Sequence, residues 1–254
     1  MKHEIVLVNN VKRTLQAATA LTQPGTEQRI CIWHGPAGLG KTTAAEILTT
    51  KQQAVYVRAL AVWTPTAMLA AICAELQIND NCTRKWQMVQ NIMRSLEERP
   101  RPIIVDEADH IAGDPKNIET LRDVHDMCGV PIVLIGMEGL VKSLRRRPQV
   151  AQRVGAEIIF QPLNHADATQ VAKQLCEVQL AEDLIDKLFK ASQGSIRSFK
   201  VGLASIEQRA KTLQLPVIGT KEWGDKPFFF AQSTARGIAK ADDAPASGSL
   251  TVAA

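Results

Sequence analysis

The residues Gly35-Pro36-Ala37-Gly38-Leu39-Gly40-Lys41-Thr42-Thr43 fit the spacing GxxxxGK(S/T), and they are the stretch of this chain best suited to chemistry. Glycines so placed let the backbone curl until several N–H groups face one phosphate, and a helix beginning at the loop adds positive dipole. Lys41 would then reach the β- and γ-phosphates of a nucleoside triphosphate, and Thr42 would ligate Mg²⁺. A second stretch, Pro102-Ile103-Ile104-Val105-Asp106-Glu107-Ala108-Asp109-His110, is an apolar run ending in two carboxylates. Asp106 suits Mg²⁺ held through water, and Glu107 suits orienting and polarising the attacking water. A glycine-rich turn alone need bind nothing, and a strand followed by an acidic turn is ordinary. The two in this order point to a nucleotide site.

The elements around these motifs must bring them to one edge. Arg29 to His34 reads as a strand entering the loop, and Ala44 to Leu48 as the helix leaving it. Strands are also expected at Gln53–Leu60, Pro102–Asp106, Val130–Gly136 and Ala156–Phe160. Helices are expected from Asn9 or Asn10 with Val11, Leu15 and Ala18 as its apolar face, from Thr64-Pro65, over Arg84–Arg99 with Trp86, Val89, Met93 and Leu96 on one side, and over Ile118–Met127. Turns fall at Gln23-Pro24-Gly25 and Asn79-Asp80-Asn81-Cys82-Thr83. Alternating strands and helices give an α/β fold, a parallel sheet with helices on both faces, whose strand ends form the ligand edge. After Pro162-Leu163 only helical spacing continues, over Asp167–Val178, Glu182–Ala191 and Ile196–Leu213. The expected organisation is a lead-in and helix over 1–28, a core over 29–162, a small helical lid over 163–216, and a C-terminal segment over 217–254. In that segment Trp223 and Phe228-Phe229-Phe230 tuck back, and the chain is disordered from about residue 234.

Composition sets the bounds. A chain of 254 residues with 45% hydrophobic and 22% charged residues suits a globular protein with one core and a small satellite. A net charge of +4 permits a polyanion partner without demanding one. Five cysteines without a CxxC point to a reduced cytoplasmic setting, away from disulfides or a zinc site. Met1-Lys2-His3-Glu4 opens no signal peptide, and no apolar run approaches the roughly 18 residues a membrane span needs. His34 and His110 read as packing or hydrogen-bonding residues rather than ligands. The letters Asp-Glu-Ala-Asp also occur in an RNA helicase box, but that machine needs two such α/β domains and this chain has room for one.

In their order, the loop, Asp106-Glu107, an arginine before the last strand and Gly194-Ser195-Ile196-Arg197 in the lid resemble the AAA+ ATPases. The resemblance makes ATP and Mg²⁺ the cofactors and Lys41, Asp106, Glu107, Arg153 and Arg197 the catalytic set, with Gly35 to Thr43 (Gly35, Pro36, Ala37, Gly38, Leu39, Gly40, Lys41, Thr42, Thr43) holding the nucleotide. Arg153 in Gln152-Arg153-Val154 is similar to the arginine finger that reaches a neighbouring subunit's nucleotide. Arg147 is the other candidate for that role. Arg197 is similar to the sensor 2 arginine that contacts the γ-phosphate from the same subunit. Within the AAA+ proteins, residues 8 to 215 are similar to the phage Mu B family of transposition proteins and the transposon regulators TnsC and TniB. The likeness rests on Ile104 to His110, a Thr-Pro after the second strand, a basic pair before the next helix and the compact lid.

That family implies an ATP-dependent homo-oligomer or helical filament on double-stranded DNA, largely indifferent to sequence, which marks target DNA and stimulates a transposase. Candidate DNA contacts are Thr64, Thr66, Arg84, Lys85 and Lys116, although helix capping alone accounts for Thr64 and Thr66. Two features depart from the pattern. Met137 stands where family members place a polar residue at the tip of the fourth strand, which implies slow hydrolysis or Glu138 in that role. The chain also opens almost at the ATPase core, so DNA contact is expected from the core itself. The other reading is a loader or remodelling ATPase, of the helicase-loader or ExeA type, acting on a protein partner.

Overall fold

The computed structural model describes residues 1–2, 4–21, 28–78 and 84–229. The turns expected at Gln23-Pro24-Gly25 and at Asn79 to Thr83, together with Phe230 and the tail from residue 234, lie outside the described residues. The first half runs α1 (Asn9–Leu21), β1 (Ile30–His34), α2 (Lys41–Gln52), β2 (Val55–Arg58), α3 (Pro65–Glu75), α4 (Lys85–Glu98) and β3 (Ile103–Asp106). Then come α5 (Asp109–Ala112), α6 (Pro115–Cys128), β4 (Ile132–Gly136), α7 (Glu138–Arg145), α8 (Pro148–Ala151) and β5 (Val154–Ile159). The lid holds α9 (His165–Leu175), β6 (Gln179–Leu180), α10 (Glu182–Ser192), α11 (Ile196–Thr212), β7 (Val217–Ile218) and α12 (Thr220–Trp223).

Five parallel strands form one sheet in the order β2-β3-β4-β1-β5. The interior strands β3, β4 and β1 are buried along their whole length, as their unbroken apolar runs require, and the edge strand β5 alternates half-buried with exposed. Successive side chains serve opposite faces. Cys31, Trp33, Ile104, Val133 and Ile135 enter the core under α1 and α2. Ile30, Ile32, Ile103, Val105, Ile132 and Leu134 enter the one under α3 to α7.

Local chemistry starts the helices where the chain must turn. Thr64 caps α3 by accepting from the Ala67 amide at 3.3 Å, with Pro65 at the first helical position. Asp114 and Pro115 do the same for α6, Asn164 caps α9, and Ser195 caps α11. Asn10 is buried and trades hydrogen bonds with the backbone of Gln161, donating at 2.8 Å and accepting at 3.1 Å. That pair ties α1 to the end of β5.

The apolar residues of α4 divide between two faces. The inward face of α4 is Met88, Ile92 and Leu96, whereas Trp86 is 56% exposed. Two apolar stripes share Leu96, and the second one, with Trp86, Val89 and Met93, lines an open groove of about 530 Å³ against Leu69 and Met127. His110 is exposed at the start of α5, while His34 is buried and meets Glu157 Oε1 at 2.8 Å.

The lid adds a short parallel pair, β6 with β7, to its helices. Trp223 and Phe228 do fold back, stacked at 5.1 Å and both buried. One apolar cluster runs from Leu39, Leu48 and Phe160 through Leu163 to Leu188, Phe199, Leu203 and Trp223, so lid and loop share a core. Phe199 is fully buried in it. Phe199→Ala is therefore expected to cost about 3–5 kcal/mol in a denaturant titration. Among the described residues, no helix is long and apolar enough to cross a membrane.

Candidate active site

The loop between β1 and α2 is shaped by its glycines. Gly38 and Gly40 sit at φ 80° and 89°, where a side chain is strained, and a Cβ on Gly38 would come within 2.7 Å of Ser195 Oγ. The lid lies that close because α11 begins against the loop: the Arg197 amide donates to Gly38 O at 3.1 Å. Gly38→Ala should push the lid off the loop and weaken nucleotide binding about tenfold or more, a loss of at least about 1.4 kcal/mol, read by titration with a fluorescent nucleotide.

Lys41 is folded back, donating to Gly35 O at 2.7 Å and Pro36 O at 2.8 Å. Burial lowers its pKa, against the opposing pull of Glu107, Asp106 and Asp109, and the nearby Arg197 charge lowers it further. These five side chains therefore share one electrostatic neighbourhood. On the carboxylate side, Asp106 is 2% exposed. Its Oδ2 accepts from Thr42 Oγ1 and from the Tyr56 hydroxyl, each at 2.9 Å, and its Oδ1 accepts from the Glu107 amide at 2.9 Å. Burial, and then the Asp106 charge, push the Tyr56 phenol above the ordinary tyrosine range, so it remains a donor.

Glu107 has φ 54°. The other described non-glycine residues with positive φ, Gln53, Gln77, Gln193 and Gln214, all follow helix ends, so Glu107 alone holds this conformation at the site. The left-handed turn at Glu107 lets consecutive carboxylates meet one face of β2: Tyr56 reaches Asp106, and Arg58 lies 3.4 Å from Glu107.

At the tip of β4 a third side chain joins Met137 and Glu138. Met137 is 44% exposed and serves as the N-cap residue of α7, and Glu138 is exposed. Asp109 also reaches this tip, its Oδ2 accepting from the Met137 amide at 2.7 Å and crowding Gly136. The signal for it was the last acid of Asp106-Glu107-Ala108-Asp109.

Arg197 is brought to the loop, and Arg153 is not. Ile30 N donates to Arg153 O at 3.0 Å, so Arg153 sits at the edge where β1 begins, about 13 Å of strand from the loop at about 3.3 Å per residue. Its guanidinium grips Asp126 at 2.5 and 2.7 Å and donates to Gln149 O at 2.6 Å. That contact holds the Asp126 carboxyl below its usual range. Arg147 donates to Gly113 O at 3.4 Å, and Arg145 pairs with Glu157 at 3.2 Å.

Of the suggested DNA contacts, Lys116 is exposed at the start of α6, and its neighbour Asn117 donates to Trp63 O at 3.5 Å, so it shares an edge with Thr64 and half-buried Thr66. Arg84 and Lys85 are exposed at the start of α4, with Lys85 on the rim of the groove. A cavity of about 140 Å³, absent from the sequence reading, opens beside the loop among Val8, Asn9, Leu39, Pro162, Leu163 and Ile196. Its walls come from four distant stretches with no single motif to join them.

Any metal here depends on the ligand. Among the described residues no group of three or more His, Cys, Asp or Glu could hold one alone. A hydroxyl and one buried carboxylate, Thr42 and Asp106, do fit Mg²⁺, which keeps its waters and binds through substrate phosphates.

Residues 25–144 match the family model described as an AAA domain. The chain is 28% identical over 152 residues to the Mu-like prophage FluMu DNA transposition protein B of Haemophilus influenzae, a match covering 55% of this chain and 51% of that protein. It thus spans about half the length of that relative. Among solved structures, the ORC2 protein of Aeropyrum pernix superposes with a TM-score of 0.70 at 14% identity, covering 87% of this chain and 68% of the other. The A. pernix ORC1 protein, solved in complex with DNA, superposes with a TM-score of 0.63 at 17% identity, covering 86% and 64%. Sheet order, phosphate loop, carboxylate pair and lid agree with these matches: residues 25–144 are an AAA domain, and the chain resembles the Mu-type transposition protein B.

Proposed function

We propose that this protein is an ATPase that assembles with ATP on double-stranded DNA, reads little of its sequence, and marks that DNA for a transposase. The observation that carries the reading is the likeness to the Haemophilus transposition protein, joined to a site whose arginines lie at opposite edges. The Gly35–Thr43 loop takes the phosphates, and the adjoining cavity takes the base. Lys41 exchanges two loop carbonyls for β- and γ-phosphate oxygens. Thr42 and Asp106 hold Mg²⁺, which supplies charge neutralisation across those phosphates. Glu107 orients the attacking water, Arg197 contacts the γ-phosphate within the subunit, and Arg153 serves the neighbour's.

A contact of that head-to-tail kind builds rings if it closes and helical filaments if it does not. DNA would bind by its phosphates, through Lys116, Arg84 and Lys85 and the turn carrying Thr64 and Thr66. The likeness to the ORC proteins favours a second reading, a loader acting on a protein partner.

Duplex binding separates the two. The first reading expects affinity that ATP strengthens, that differs little between sequences, and that falls steeply with salt, by about 10³-fold or more between 50 and 200 mM if six or more phosphates are contacted. Affinity indifferent to ATP and shallow in salt would favour the loader.

A further inference from the structure

The lone pairs of Asp106 leave little slack. An ionised carboxylate accepts about four hydrogen bonds. Thr42 and Tyr56 occupy Oδ2, and the Glu107 amide occupies one side of Oδ1. With Asp106 at 2% exposure, bulk water does not set its orientation. Asp has a broad terminal torsion, so the plane of the carboxylate is fixed by its partners. Thr42 is itself needed by the metal, and the Glu107 amide belongs to a left-handed turn. The remaining anchor, Tyr56, stands on β2, whose ladder to β3 pairs Tyr56 with Ile104 and Arg58 with Asp106. Its ring packs half-buried against the core under α2, so the strand rather than a loop sets where the hydroxyl points.

We propose that Tyr56 is a positioning residue: its hydroxyl locks the Asp106 carboxylate in the orientation that Thr42 also addresses, and so sets how strongly a divalent cation couples to bound nucleotide. The inference rests on the nucleotide-site reading above. Partners that orient a ligating carboxylate typically change metal affinity by about 10–100-fold when removed. A tyrosine that merely satisfied a buried acid would change stability and leave the cation dependence alone.

Tyr56→Phe keeps the ring and deletes only the donor. The experiment titrates a fluorescent ADP analogue into the full chain, first in EDTA and then across Mg²⁺ concentrations, with melting recorded for each protein. The expected result is an EDTA affinity within about twofold of the parent, and a half-maximal Mg²⁺ concentration raised about tenfold. A Mg²⁺ curve that superposes on the parent's, or one shifted to lower concentration, overturns the proposal. So does an equal loss of affinity in EDTA, which would make Tyr56 a structural support. A parent protein whose nucleotide affinity ignores Mg²⁺ would remove the nucleotide reading as well.

Discussion

Arg153→Ala is expected to lower ATP turnover by about 10³-fold or more, and mixing it with Glu107→Gln should recover part of the loss. Neither protein alone has a complete site. In the mixture, a subunit with intact Glu107 receives the arginine of a Glu107→Gln neighbour, so hybrid contacts work. An arginine acting in trans suits this geometry, because Arg153 flanks the beginning of β5 whereas the loop follows the end of β1, and parallel strands keep those points apart. The bidentate grip of Asp126 must be given up when the guanidinium moves to a neighbour's phosphate. Parallel measurement of Arg147→Ala decides between the two arginines, since Arg147 reaches only the Gly113 carbonyl, at 3.4 Å. Full turnover in Arg153→Ala would show that Asp126 is its permanent partner.

Lys41→Ala and Glu107→Gln should differ in kind. Lys41 acts on the bound phosphates, so its loss removes nucleotide affinity and, with it, ATP-strengthened retention on DNA. Glu107 acts on water alone, so the glutamine protein should bind ATP, assemble, and turn over at least about 10²-fold more slowly, about 2.7 kcal/mol in barrier. Retention on long duplex DNA, followed by sedimentation with ATP, should therefore be lost in the first and prolonged in the second. Equal retention in both would separate DNA binding from the nucleotide.

The contiguous motifs were legible before the fold was known. Gly35 to Thr43 and Asp106-Glu107 are written in consecutive residues because their work is done by a local backbone, and Arg197 follows a recognisable Gly-Ser helix start. What escaped reading depends on distant approach. The cavity beside the loop needs Val8, Leu39 and Ile196 in one place, and no spacing encodes that. Asp109 reaches the tip of β4 from the start of α5, just after the neighbouring strand β3, which the order of residues in β4 does not show. In α4 two apolar stripes share Leu96, and packing against α3 and α6 buries Met88 and Ile92 while Trp86 stays exposed. Tyr56 looked like an ordinary strand residue until its neighbour strand fixed its register.

The apolar cluster shared by loop and lid limits how a spent nucleotide can leave. Swinging α11 away as a rigid flap would carry Phe199, Leu203 and Leu163 into water, at about 25 cal/mol for each Å² uncovered. Sliding one packed helix along another keeps those surfaces dry. A shear of the α11 start across Gly38 would break the Arg197 amide bond while leaving the aromatic body beneath it closed.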